Sequence, residues 1–537
     1  MPRASLQWLS LVGVIWLQSV NGTNTVFSAY SSQLKEIMSL SQIQLNNLAF
    51  ASDAGKLFGF VSGLASLYLP LWLVLLIGSI FGLVGYGVQY LFLTNYIPYL
   101  SYGHIFLLTV LAGNSICWIN TVCYIVTIKN FPIDHQVAVG LTTSYQGLSA
   151  KIYTVLVGAF FYNQPKDKRA PSYLLLNSIC PLLVALMASP MVREVDTCSS
   201  KSTRRGFIAI FIITIATGSF AILTSLRFIS RRLSPIATAI GIVAFLLAPF
   251  VVPLVEKLRE LEDESWWPAT RETKVYNFTV DVEHKRENVI EMGAIRREDQ
   301  VTERKNNNNN NSFGHAREEI GVKLMVRRLE FWLYFFVYFS GATLGLVYMN
   351  NLGQICQSRG CSGTSYLVAL SSSFGFFGRL MPSLVDYFFP RSRYILTRPA
   401  TIAILMAPVG GSFFLLLNPH DVSLYISTAV IGICTGAITT ISVSTTTELF
   451  GTKSFSVNHN VVVANIPIGS FLFGYLASFV YHAEGQKDGT CMGIKCYRNT
   501  FIVWGSVCLF GTLLACVLYS RTRKFYLGVK IATSSIA

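Results

Sequence analysis

Charged side chains inside long apolar runs are the residues of this 537-residue chain best placed to do chemistry, because an ion held in lipid must find a partner, a cavity or a proton. Asp53 and Lys56 stand three positions apart, close enough to pair on one helix. The triplet Gly55-Lys56-Leu57 recurs as Gly378-Arg379-Leu380, so Arg379 occupies a repeat of the Lys56 position. Protonating Asp53 would free the neighbouring cation for a solute, which makes this set a candidate coupling site. A permanent structural pair between helices explains the same residues equally well. Lys151 is a further cation in mid-run, on a helical face shared with Gly140, Ser144, Gly147, Thr154 and Gly158. Small residues there admit a neighbouring helix, but the lysine itself is expected to face a polar cavity and meet solute.

A second group is polar without being charged. Asn21, Asn24 and Ser28 in the first run are expected to face Asn114, Trp118 and Thr121 in the fourth, with Tyr334, Tyr338, Tyr348, Thr440 and Ser444 in the second half of the chain. Amides, hydroxyls and aromatic rings at helical spacing can line a path for a small polar solute, or bond one helix to another. Asn21, Asn24, Asn114, Trp118, Thr121, Lys151, Tyr338, Thr440 and Ser444 are the expected solute-binding residues; Asp53, Lys56, Arg379 and Asp386 are the expected coupling or gating residues.

The elements that must position them are membrane helices. Apolar residues make up 52% of the chain and charged ones 13%, too greasy for soluble domains. Fourteen continuous runs approach the roughly 20 residues that a spanning helix needs, and they lack the alternation of a membrane β-barrel. The stretch from Gly113 to Phe131 is matched without gaps by Gly432 to Phe450, 319 residues later, and the same offset carries Gly22 onto Gly341. Two duplicated six-helix halves follow, residues 1–205 and 329–520, with two extra helices (206–255), a polar loop (256–328) and a tail (521–537). The loop and its flank hold 16 of the 27 acidic residues and end in an asparagine run at Asn306 to Asn311, which predicts a disordered linker.

Basic residues in short loops, among them Arg193, Arg205, Lys453 and Arg521, put both termini in the cytosol, against the opposing loops at Lys166, Lys168, Arg169 and at Arg227, Arg231, Arg232. The sequon at Asn277 then faces the cytosol and carries no glycan. The polar end of the first run argues for a retained membrane helix rather than a signal peptide. Cys356, Cys361, Cys491 and Cys496 lie in two loops on the other face, either as disulfides within or between the loops or as free thiols. No metal cluster, nucleotide motif or nucleophile and base pair stands out, so neither an enzyme nor a cofactor is expected, and the charge of +15 reads as topology rather than nucleic-acid binding.

The segments Trp16-Leu17-Gln18-Ser19-Val20-Asn21-Gly22, Ala51-Ser52-Asp53-Ala54-Gly55-Lys56, Cys117-Trp118-Ile119-Asn120-Thr121, Asn130-Phe131-Pro132, Tyr145-Gln146-Gly147-Leu148-Ser149 and Asn351-Leu352-Gly353-Gln354-Ile355 together resemble plant nodulin-like members of the major facilitator superfamily, of the nuclear-fusion-defective type. That resemblance implies an all-α membrane carrier whose two halves rock around a central site. The charged motif that facilitators commonly carry after the second helix is absent from Gly63 to Trp72, while Gly378, Arg379, Asp386, Arg391 and Arg393 remain in the second half, where any charged latch must lie. Gly375 stands where monocarboxylate-type porters carry an aspartate. The expected activity is secondary transport of a small polar or anionic solute across the bilayer by alternating access, with proton coupling. A membrane receptor or scaffold that keeps the fold and recruits partners through the polar loop is the alternative.

Overall fold

The computed structural model of the chain describes residues 4–161, 169–195, 203–225, 232–265, 319–361, 364–389, 397–485 and 491–534. Among these residues the regular structure is entirely helical. That is what lipid demands of continuous apolar runs, because a helix satisfies its own backbone. Eleven helices are long and apolar enough to cross a membrane. Residues 4–37, 42–68 and 135–160 complete the fourteen expected runs; they are more polar because they line the seam between the halves.

The first half contains α1 (Ala4–Val20), α2 (Phe27–Ile37), α3 (Gln42–Ala54), α4 (Gly59–Tyr68), α5 (Leu71–Leu93), α6 (Tyr102–Asn130), α7 (His135–Phe160) and α8 (Ala170–Ala188). An extra group follows as α9 (Thr203–Leu223), α10 (Pro235–Leu247) and α11 (Val251–Ser265). After the short α12 (Val322–Met325), the second half contains α13 (Leu329–Tyr338), α14 (Leu344–Ser358), α15 (Thr364–Phe388), α16 (Arg398–Leu415), α17 (Asp421–Phe450), α18 (Phe455–Val463), α19 (Asn465–Ala483) and α20 (Lys495–Ser534). The halves meet where α7 packs on α15 and α17, where α3 and α4 pack on α19 and α18, and where α2 packs on α14.

The duplication is visible in contacts as well as in letters. α6 begins at Tyr102 and α17 at Asp421, the same 319 residues apart. A side chain at Gly113 would fall on the Ser52 carbonyl, and one at Gly432 would meet the Ser371 carbonyl, again 319 residues on. Gly55 packs on the backbone at Asn114 as Gly378 packs on the backbone at Ile433. These glycines allow the second helix of each half to touch the fourth, backbone to backbone.

Regular helix fails at matched places. The first run was expected to continue as helix through its polar end; instead α1 stops at Val20 and a 3-10 turn spans Thr23–Val26. The matching Gly341 lies in a π-turn, Phe339–Thr343, between α13 and α14. Freed carbonyls in the first break are satisfied from α7: Ser149 Oγ donates to Ser19 O at 2.7 Å and Tyr153 OH to Val20 O at 2.9 Å, while Gly22 N donates to Ser149 Oγ at 3.0 Å. A 3-10 turn at Gly55–Phe58 likewise separates α3 from α4 and carries Lys56.

The extra group leans on the first half. α10 packs on α7, α9 on α15 and α10, and α11 on α1. α11 runs ten residues past Val255, where the sequence suggested a disordered loop, and its Glu260 accepts from Ser5 N at 2.9 Å and Ser5 Oγ at 2.7 Å. A carboxylate at the start of α1 suits the positive end of that helix. Lys166, Lys168, Arg227, Arg231, Asn277, the asparagine run at Asn306 to Asn311, Arg391 and Arg393 lie outside the described residues.

The glycine contacts make a direct prediction. Gly113→Ala should cost about 1–3 kcal/mol, the usual range for overpacking, whereas Gly411→Ala, with nothing within 4 Å of the added carbon, should be close to neutral. Thermal unfolding of the detergent-purified proteins checks the difference.

Candidate functional site

Two adjoining cavities of about 90 and 70 Å³ lie between the halves and share Asn24, Thr25, Leu346 and Arg379 in their walls. The break after α1 supplies Gly22, Asn24 and Thr25, and the 3-10 turn after α3 supplies Lys56. From the other half come Tyr338, Arg379 and His459. The repeated triplet therefore delivers one cation from each half to the same cavity.

Each cation is held differently. Lys56 Nζ pairs with Asp53 Oδ1 at 2.6 Å, both side chains almost fully buried. Asp53 Oδ2 also accepts from Asn350 Nδ2 at 3.1 Å, which ties the pair to the opposite half. Arg379 donates to Gln146 Oε1 at 2.8 Å, likewise across the seam. Its printed partner is thus a neutral amide, which leaves the guanidinium charge uncompensated by that bond. His459 places Nδ1 3.3 Å from Thr446 Oγ1, stacks on Phe455 and meets the edge of Tyr124.

Hydrogen bonds between the halves continue beyond the cavity at both ends. Toward the disulfide-bearing face, Gln354 donates to Asn46 Oδ1 at 2.9 Å. At the opposite face Arg398 pairs with Asp386 at 2.7 Å and with Glu448 at 3.4 Å, and Gln136 of α7 bonds to both Arg398 and Glu448. This is a charged latch in the second half, as the sequence predicted, with Asp386 in it. Its cation is Arg398, which sequence reasoning missed.

Several expected solute-binding residues are turned away from the cavity. On α6 the cavity-facing residues are Ile116, Cys117, Asn120 and Tyr124, so Asn114, Trp118 and Thr121 sit on adjacent faces. Trp118 packs on Gly78 and Phe81, and Thr121 bonds Ser62 at 2.7 Å and Asn460 at 3.1 Å. On α17 the face carries Thr435, Gly436, Thr439 and Ser442; Thr440 instead meets Thr143 at 3.3 Å, and Ser444 is buried outside the cavity walls. Asn21 bonds Ile116 O and Asn120 Oδ1 and acts between helices. Helical spacing fixes a stripe but not which way the helix is rotated, and Asn120 and Thr439, again 319 apart, show that both fourth helices are rotated alike. Asn24 and Tyr338 do line the cavity. Lys151 does not; it faces a separate space beside the extra helices.

His459, Gln146, Asn350, Arg398, Glu448 and Gln136 were missed, although a histidine, an arginine and a glutamate within or beside apolar runs carry the same cost signal that singled out Lys151. The four loop cysteines form two local disulfides, Cys356 with Cys361 and Cys491 with Cys496, both on the face opposite the latch.

Comparison with known proteins agrees with this architecture. Residues 7–254 match the family model described as Nodulin-like, and residues 312–527 match the one described as NFD4, C-terminal domain. The chain is 38% identical over 545 residues to Protein NUCLEAR FUSION DEFECTIVE 4 of Arabidopsis thaliana, covering 97% of this chain and 89% of that one. Among solved structures it resembles the peptide transporter POT in complex with sulfate, with a TM-score of 0.53 and 12% identity over 98% of this chain and 96% of the other. It also resembles the major facilitator superfamily proton:xylose symporter XylE, with a TM-score of 0.54 and 11% identity over 96% and 95% of the two chains. A duplicated, all-helical carrier architecture and a full-length relative converge on one assignment: the chain belongs to the nodulin-like, NUCLEAR FUSION DEFECTIVE 4 family and has the major facilitator fold.

Proposed function

We propose that this protein is a proton-coupled secondary carrier that moves a small polar or anionic solute by alternating access, with residues 1–205 and 329–520 as its rocking halves and both termini in the cytosol. The observation that carries the reading is the pair of cations, Lys56 and Arg379, delivered by duplicated positions to one cavity between the halves. Two cations against the single carboxylate Asp53 favour an anionic cargo. The resemblance in fold to a proton:xylose symporter and to a transporter bound to sulfate supports the same direction by analogy.

In this mechanism the solute displaces the amide of Gln146 from Arg379. Protonated Asp53 releases Lys56 and Asn350, which loosens the seam and lets one end of the bundle open. The Asp386, Arg398 and Glu448 latch closes the cytosolic end. The described side chains around the cavity bind, gate and exchange a proton, and no bond of the solute is broken.

Uptake into proteoliposomes, run across a panel of organic anions, sugars and amino acids, tests the assignment. Arg379→Gln should lower uptake of the transported solute about tenfold or more, the loss of roughly one charge-assisted hydrogen bond, while leaving the protein folded. Failure of every solute in the panel to enter would count against a carrier.

The coupling role of Asp53 makes a separate prediction. Asp53→Asn should abolish the pH dependence of uptake yet allow solute exchange down its own gradient. A merely structural pair predicts instead that the single change strands a buried charge, at a cost of about 3–5 kcal/mol, and that adding Lys56→Gln restores both folding and pH dependence. Uptake measured from acid to neutral pH on both variants separates the two, and retained pH dependence in the single variant excludes Asp53 as the proton site.

A further inference from the structure

The largest cavity described in the bundle is not the central one. A space of about 320 Å³ opens beside the extra helices, walled by α7, α15, the start of α8 and the facing ends of α9 and α10. Lys151 lines it from α7 and is buried, 5% exposed, with no hydrogen bond or ion pair among the described residues. Arg169, at the start of α8, lines it as well, and no carboxylate is among its lining residues. Thr154, Thr224, Ser225 and Thr238 add hydroxyls, but each donates its proton to its own helix, at 2.8, 2.8, 2.6 and 3.2 Å. Recognition in this cavity therefore rests on the two cations.

A buried ammonium without an anion is costly, and its three donors are available to whatever enters. The space is several times larger than the minimum for one water, so it admits a polar group together with its hydration. We propose that this cavity is a second ligand site, distinct from the central transport cavity, that binds an oxyanion of the phosphate type between Lys151 and Arg169. The group arrives either as a free ion or on the head of an anionic lipid. The site lies where α9 and α10 close against α7 and α15, so its occupancy ties the extra helices to both halves at the seam.

The test uses the full-length protein as wild type, Lys151→Met and Lys151→Arg. Inorganic phosphate is titrated in detergent at constant ionic strength, with chloride as the control, and the thermal midpoint is recorded. The same proteins are then placed in nanodiscs of phosphatidylcholine, with or without phosphatidylglycerol, and bound lipid is read by native mass spectrometry. A free-ion site predicts a phosphate-dependent rise in midpoint for wild type, about tenfold weaker binding or worse for Lys151→Met, and binding largely kept by Lys151→Arg. A lipid-borne site predicts no effect of phosphate but retention of phosphatidylglycerol by wild type and not by Lys151→Met. Without ligand, Lys151→Met should be at least as stable as wild type, because it removes an uncompensated charge. Equal behaviour of wild type and Lys151→Met toward both probes, or a marked loss of ligand-free stability in Lys151→Met, would overturn the proposal.

Discussion

Two cations in the middle of a membrane bundle cannot face lipid, and the arrangement of the halves follows from hiding them. Lys56 and Arg379 come from the same position of a duplicated unit, so burying one in a seam buries the other in the same seam. Asp53 pairs with Lys56 within its own half, and Asn350 and Gln146 then reach across. Each half thus completes the hydrogen bonding of the charge carried by the other. An interface made this way is specific but not greasy, which suits surfaces that must part and close again.

Close approach and broken helices serve that seam. Gly113 against Ser52 and Gly432 against Ser371 bring the second helix of each half onto its fourth, which sets how far Lys56 and Arg379 reach inward. Interruption after Val20 turns Gly22, Asn24 and Thr25 toward the cavity, with the freed carbonyls tied to Ser149 and Tyr153 rather than left in hydrocarbon. The repeated π-turn at Phe339–Thr343 puts an irregularity at the equivalent point of the other half. Such points absorb changes of backbone angle more readily than regular helix does.

Much of this was legible in the letters. The 319-residue offset predicted the duplication, and the cost of a charge in lipid pointed to Asp53, Lys56 and Arg379, which gather at the seam. Rotation of the fourth helices was not legible: Thr121 and Thr440 have the right type and spacing, but their neighbours Asn120 and Thr439 face the cavity. A polar stripe looks the same whether it meets a solute or another helix. Lys151 illustrates a different limit, since its burial was predicted correctly while its direction depended on where the extra helices pack. Arg398 escaped notice because it opens α16, where a cation reads as topology until Asp386, Glu448 and Gln136 are seen around it.

The central claim, that one cavity between the halves is exposed when the latch opens, can be read at a native thiol. Cys117 lines the central cavity, whereas Cys123, two turns along α6, is fully buried in helix packing. In nanodiscs, a charged maleimide should label Cys117 slowly in wild type and about tenfold faster or more when Glu448→Gln weakens the latch, with Cys123 unchanged, as read by peptide mass spectrometry. Equal labelling of Cys117 in both proteins, or a parallel rise at Cys123, would contradict the account.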